Sequence, residues 1–167
     1  MVVPSAGEVV LVPLAPALGA KMRIRHFALL VAPFCCLSIS CGISVIAHDE
    51  QAAANSAAKF ADLAFIRSDY SGARALLAPQ LEQATAGDKL AAEVGKMHGG
   101  GRPSEVKAIE FEPLRGQRAM NIYLKGKRGD EEFFYRLLML GDRGAGYKVG
   151  GLWRGSGPYP PSARKPL

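Results

Sequence analysis

Chemistry in a protein needs a nucleophile, a tunable acid–base group, a metal-ligand set or a phosphate cradle. The 167-residue chain is sparing with all four. Its three cysteines, Cys35, Cys36 and Cys41, share one apolar run. C-terminal to that run the histidines are His48 and His98, fifty residues apart, which is no metal-ligand spacing. His98 reads as a cation at the C-terminus of a helix, where the dipole favours positive charge. Gly144-Ala145-Gly146 falls between strands and opens no helix, and no G-x-x-x-x-G-K-S/T run occurs, so neither phosphate cradle is present.

Carboxylates and tyrosines remain. A carboxylate base becomes useful when an apolar pocket tunes its pKa and hydrogen-bond donors face the developing charge. The polar residues that could face an interior between helices and sheet are Tyr70, Asn121, Tyr123, Tyr135 and Arg136. Asp62 on a first helix and Asp69 at its end could reach a pocket mouth. Glu110, Glu112, Glu131 and Glu132 fall at strand starts or beside turns. Tyr123, Tyr135 and Trp153 read first as amphipathic packing residues. The HGGGRP stretch at 98–103 superficially resembles an esterase oxyanion loop, yet the chain has no G-x-S-x-G elbow, and a helix-stopping glycine turn accounts for it. Arg128-Gly129-Asp130 spells an integrin-binding tripeptide that a hairpin turn explains fully. The composition implies no cofactor and no metal.

The formal charge is +6, from 21 Lys+Arg against 15 Asp+Glu. The densest basic cluster, Lys125, Lys127 and Arg128, runs straight into Asp130, Glu131 and Glu132. That alternation reads as a solvated hairpin tip and argues against nucleic acid as a partner.

The elements that must position these groups begin late. Residues 27–47 carry no charge, follow the basic stretch MRIRH and end in Val45-Ile46-Ala47. A basic n-region, an apolar h-region and small residues at the end describe a secretory signal, with cleavage expected between Ala47 and His48. Residues 1–21 read as a disordered upstream extension, with translation starting at Met22. Two other fates stay open for 22–47. One is an uncleaved anchor, the chain's only contact with a membrane, since about 21 helical residues cover the hydrocarbon thickness. The other is lipidation at Cys41, whose LSISC context is similar to a lipobox. Either way the chain is exported, periplasmic or secreted, or held facing the periplasm. A chain starting at His48 has no thiol and 18 Lys+Arg against 14 Asp+Glu, a charge of +4.

Residues 50–98 have helical period. Ala53, Ala57, Phe60, Ala61, Ala64 and Phe65 make one apolar face. A break at Ser68-Asp69 precedes a short helix with Ser71 as N-cap and Pro79 as its stop. Thr85 and Asp88 then resemble a capping box for a third helix lined by Leu90, Val94 and Met97. From Pro103 the period becomes extended. Four runs are separated by Arg115-Gly116, Arg128-Gly129-Asp130 and Asp142 to Ala145, short links that imply an antiparallel meander. Gly150-Gly151 predicts a bulge or a close backbone contact in the last strand. Phe60 and Trp153 are expected core anchors, and residues 156–167 a disordered proline-rich tail.

The sum is an α+β domain at 48–155, with N-terminal helices packed on a curved four-stranded antiparallel sheet and a hydrophobic signal or anchor helix before it. With FADLAFIRSDYSGARALLAP on the helices and YKVGGLW closing the sheet, residues 52–154 resemble the cone-shaped, cystatin-like domains of the nuclear-transport-factor and ketosteroid-isomerase superfamily, in an uncharacterised exported bacterial branch. The resemblance implies a concave pocket between helices and sheet. The superfamily contains isomerases, cyclases, binders and dimerisation modules, and its isomerase catalytic set does not map onto this chain. The expectation is therefore a non-catalytic module that binds a small or peptidic ligand or associates with itself. Two alternatives stand beside it: an isomerase or cyclase with a carboxylate base and tyrosine donors, and a structural module tethered to the envelope. A buried carboxylate converging with two tyrosines would favour the enzyme, and an interior filled with aromatic side chains the module.

Overall fold

Helix α1, Glu50–Ala61, begins where Asp49 accepts a hydrogen bond from Ala52 N at 2.9 Å. This is an N-cap that satisfies a backbone donor left free by the first turn. The computed structural model describes residues 46–159 and 164–167. The expected extension at 1–21, the signal or anchor up to Val45, and Cys41 lie outside them. Asp49 also fastens α1 to the sheet, because its own N donates to Tyr147 Oη at 2.7 Å. Ala53, Ala54, Ala57, Phe60 and Ala61 are buried, and the alanines let the helix axis lie close over the strands.

A π-helical turn, Asp62–Ile66, continues α1. The wider turn, closed by Arg67 N on Asp62 O at 2.9 Å, buries the consecutive residues Ala64 and Phe65. Ser68, with φ 59°, then breaks the run where the sequence places the break. Helices α2 (Tyr70–Arg74), α3 (Pro79–Ala84) and α4 (Lys89–Met97) follow. Three local expectations need correction. Asp69, not Ser71, caps α2, accepting from Gly72 N at 2.8 Å. Pro79 opens α3 instead of only ending α2; its missing N–H costs nothing at the first position of a helix. Thr85 closes α3, its Oγ1 donating to Leu81 O at 2.7 Å, so it builds no capping box for α4.

The sheet is antiparallel and has five strands, not four, in the order β4-β3-β2-β1-β5. They are β1 (Glu105–Pro113), β2 (Ala119–Arg128), β3 (Glu131–Asp142), β4 (Gly146–Gly155) and β5 (Lys165–Pro166). The fifth strand lies in the stretch expected to be a disordered tail; its residues pair with β1 at Glu110 and Phe111. Gly129 (φ 57°) supplies the positive φ of the β2–β3 hairpin, where Arg128 pairs with Glu131. Two bulges set which side chains share a face. On β1 the register shifts at Ile109, so Val106 and Ala108 before it and Phe111 after it all turn toward the helices. On β4 the shift falls at Gly150, as the glycine pair predicts. A Cβ on Gly150 would lie 2.5 Å from Leu140, and one on Gly151 2.4 Å from Trp153.

Helix α1 lies across one face of the meander, touching β1, β2, β3 and β4. Between them lie Phe60, Phe65, Met120, Ile122, Leu124, Leu137, Met139 and Val149, all 1% exposed or less. Phe60 is therefore the core anchor expected of it. Trp153 is not: it sits half-buried on the other face of the sheet. Among the described residues no helix is long and apolar enough to cross a membrane.

Candidate functional site

Adjacent residues of a strand point to opposite faces, and this divides the expected pocket residues into two groups. On the helix side the row across the sheet is Ala108–Leu124–Tyr135–Arg154; on the helix-free side it is Glu110–Tyr123–Arg136–Trp153. Tyr135 and Arg136 cannot line one pocket. Asn121 and Tyr123 lie with Arg136, and Tyr70, Asp62 and Asp69 with neither row.

The interior group centres on His98, which ends α4 and is 5% exposed. Its Nδ1 lies 2.8 Å from Val94 O and its Nε2 2.7 Å from Tyr135 Oη. A carbonyl only accepts, so Nδ1 carries the proton and Nε2 accepts from the tyrosine. Phe65 stacks on Tyr135 with ring centres 4.7 Å apart and tilts against His98 at 5.2 Å; Phe133 flanks both. Burial lowers the His98 pKa, against the opposing hydrogen bond to Val94 O, and the Arg154 and Arg102 guanidiniums lower it further. His98 is thus a neutral, buried hydrogen-bonding residue, and the cation expected at that helix end is corrected. Burial likewise pushes the Tyr135 phenol upward. Both ring nitrogens are spent, so a substrate would have to displace structure to use either one.

The carboxylates proposed for a pocket mouth are also spent. Asp62 pairs with Arg67 Nε at 2.8 Å, and Asp69 caps α2. Tyr70 Oη accepts from Arg102 Nη2 at 2.7 Å, and Arg102 also bonds Ser68 Oγ. None of these groups converges with Tyr135. Among the described residues no three His, Cys, Asp or Glu side chains are placed to hold a metal ion.

The helix-free face brings more together. Arg136 lies 4.5 Å from the Trp153 ring centre and 5.6 Å from that of Tyr159, and its Nε is buried without a hydrogen-bond partner among the described residues. Tyr123 Oη donates to Glu112 Oε2 at 2.7 Å, with Asn121 Nδ2 on the same oxygen at 3.3 Å. Tyr159 packs on Tyr123 at 5.6 Å. Glu110, expected near a strand end, stands on this face within β1, opposite Tyr123, because of the Ile109 bulge; Glu112 shares the face and lies one residue from the strand's end, beside the turn as expected. A cleft of about 100 Å³ runs between Glu110, Tyr123, Phe134, Tyr159 and Arg164. It is well short of the roughly 300 Å³ at which small-molecule pockets begin. Sequence reasoning missed Glu110, Tyr159 and Arg164 as members of this set, and no local pattern marks them.

No known family profile, curated protein or solved structure matches the chain. What the fold and the site define is an α+β domain whose interior is filled and whose half-exposed aromatic and cationic groups gather on the sheet face opposite its helices.

Proposed function

We propose that this is an exported, non-catalytic interaction module of the nuclear-transport-factor-like, cone-shaped type, which binds a partner or a second copy through the helix-free face of its sheet. The observation that carries the reading is the filled interior. Phe65, Phe133, Tyr135 and His98 fill the space between helices and sheet where the resemblance implies a pocket, and the polar atoms of His98 and Tyr135 bond each other. A catalytic base needs reach to a substrate proton before its pKa matters. Here Asp62, Asp69 and His98 are all engaged elsewhere. On the other face Arg136, Leu138, Leu140 and Trp153 are only partly covered, the mixture of aromatic, aliphatic and arginine side chains that anchors protein interfaces.

Export rests on residues 22–47 as a signal, with cleavage at Ala47–His48. Ala47 is exposed and two residues before the N-cap of α1, so the bond lies outside the first helix, although Ala47 O accepts from Arg143 N at 3.0 Å in the folded domain.

The test combines turnover with binding. Purified protein should turn over no member of a panel of steroid-like, cyclic-ketone and epoxide substrates. The single tryptophan, Trp153, reports on the helix-free face. Sedimentation at rising concentration should show association that Leu138→Glu abolishes without lowering the melting temperature. Turnover that disappears in Asp62→Asn or Asp69→Asn, with the fold intact, would replace this reading with the enzyme.

A further inference from the structure

The last four residues of the chain meet the outer edge of β1 in three kinds of contact. Lys165 and Pro166 pair antiparallel with Phe111 and Glu110, and Leu167 N donates to Ile109 O at 3.2 Å. The Arg164 guanidinium lies 5.1 Å from the centre of the Tyr123 ring, and its Nη1 is 2.8 Å from Glu110 Oε2. The side chains of this ion pair are 13% and 32% exposed, for Arg164 and Glu110 respectively. The receiving half is built into the sheet. The Ile109 bulge turns Glu110 onto the row of Tyr123, so that a carboxylate and an aromatic face together frame a slot for one planar cation. Beside the slot, the β1 edge offers backbone groups to an added strand.

We propose that this edge is a docking site for an extended peptide segment bearing an arginine followed two residues later by a proline, and that the chain's own Arg164–Leu167 occupies it in cis. Strand addition supplies backbone hydrogen bonds, and a side-chain slot supplies the choice of sequence. Here the slot takes guanidinium: the planar group of Arg164 lies over Tyr123 while its Nη1 sits against Glu110 Oε2, a combination of flat face and charge that the compact ammonium of lysine does not match. Proline two positions on has no N–H, so the added strand ends the sheet and recruits no further one. The receiving half belongs to a nine-residue strand, whereas the cis ligand is a two-residue strand with both residues exposed. Short elements with few buried contacts open far more often than the sheet beneath them. A partner segment therefore competes with a tethered one whose effective concentration is in the millimolar range. The site lies on the same sheet face as Leu138 and Trp153 but toward its β1 edge, and it is tested separately, because Leu138→Glu alters none of the residues that touch Arg164.

The experiment uses the full chain and a fluorescent peptide of sequence Ala-Arg-Lys-Pro-Leu. Arg164→Ala weakens the internal competitor, so this variant should bind the peptide at least ten-fold more tightly than the unaltered protein. Adding Glu110→Gln to Arg164→Ala should cost at least ten-fold, as should replacing the peptide's arginine with alanine. Should Arg164→Ala fail to fold, Arg164→Lys keeps the charge, loses the planar face over Tyr123, and should still bind more tightly than the unaltered chain. Equal affinity of the unaltered and variant proteins, no binding to either, or binding indifferent to Glu110→Gln would overturn the proposal. So would a concentration-dependent dimer of the unaltered chain that Arg164→Ala abolishes, since the occupant would then be the tail of a second copy.

Discussion

Replacing Tyr135 with phenylalanine removes one oxygen from the middle of the domain and changes almost nothing in shape. Its consequence falls on His98. Nδ1 keeps its proton on Val94 O at 2.8 Å, and Nε2, which accepts from Tyr135 Oη at 2.7 Å, is left without a donor in a site 5% exposed. Forming a neutral hydrogen bond nets only about 1 kcal/mol, but stranding a buried acceptor costs about 1–3 kcal/mol. For a domain of this size, with an unfolding entropy of about 2 cal/mol/K per residue, that loss lowers the melting temperature by roughly 4–12 °C. Thermal denaturation at pH 7.5, followed by circular dichroism, reads the shift directly. The same dyad sets a pH dependence. Because burial lowers the His98 pKa in the fold, the unfolded chain binds the proton more readily, and stability must rise with pH through this range. The contribution is complete above the ordinary histidine value of about 6.5 and is lost as pH drops below it toward the lowered folded value. A His98→Phe protein should lack this slope. A Tyr135→Phe protein that melts within a degree of the unaltered one would show that His98 Nε2 does not depend on the Tyr135 hydroxyl as a buried partner.

Three further outcomes follow from the same contacts. Phe60→Ala should lose about 3–5 kcal/mol, because Phe60 is fully buried between α1 and the sheet; an unmoved urea midpoint would show that another helix face is packed. Gly141→Ala should destabilise more than Gly151→Ala. Gly141 has φ 135° and its Cβ would collide with the backbone of Gly146, whereas at Gly151 the obstacle is the Trp153 ring, which can shift. Mass spectrometry of the exported protein should give His48 as its first residue, and a retained 27–47 segment or a diacylglyceryl group on Cys41 would refute the processing.

Much of the architecture is local and therefore legible without a structure. The alanine face of α1, the break at Ser68-Asp69, the glycine stop after α4 and the three hairpin links each follow from spacing and turn chemistry within a few residues. So does the Gly150 bulge, because two adjacent glycines in a strand signal a place where a side chain would not fit. Period two even guarantees that Tyr135 and Arg136 point oppositely. It does not say which of them the helices will cover.

That choice, and the site with it, belongs to contacts distant in the chain. His98 takes up a proton less readily than a free imidazole because α4 ends over Tyr135, thirty-seven residues away, and Phe65 and Phe133 displace the solvent that would stabilise its charged form. The Ile109 bulge carries no glycine or proline to announce it, yet it alone aligns Glu110 with Tyr123. Residues 164–167, in a polar and proline-rich stretch, have nothing in their own composition to make a strand. What pairs them is a β1 edge with backbone groups to offer and a carboxylate beside an aromatic ring, which Arg164 reaches only after the meander has folded. Sequence determines an element wherever the interactions that select it lie within a turn or two. Where selection rests on desolvation and on pairing across the sheet, the tertiary structure decides, because neither exists until the chain has brought those residues together.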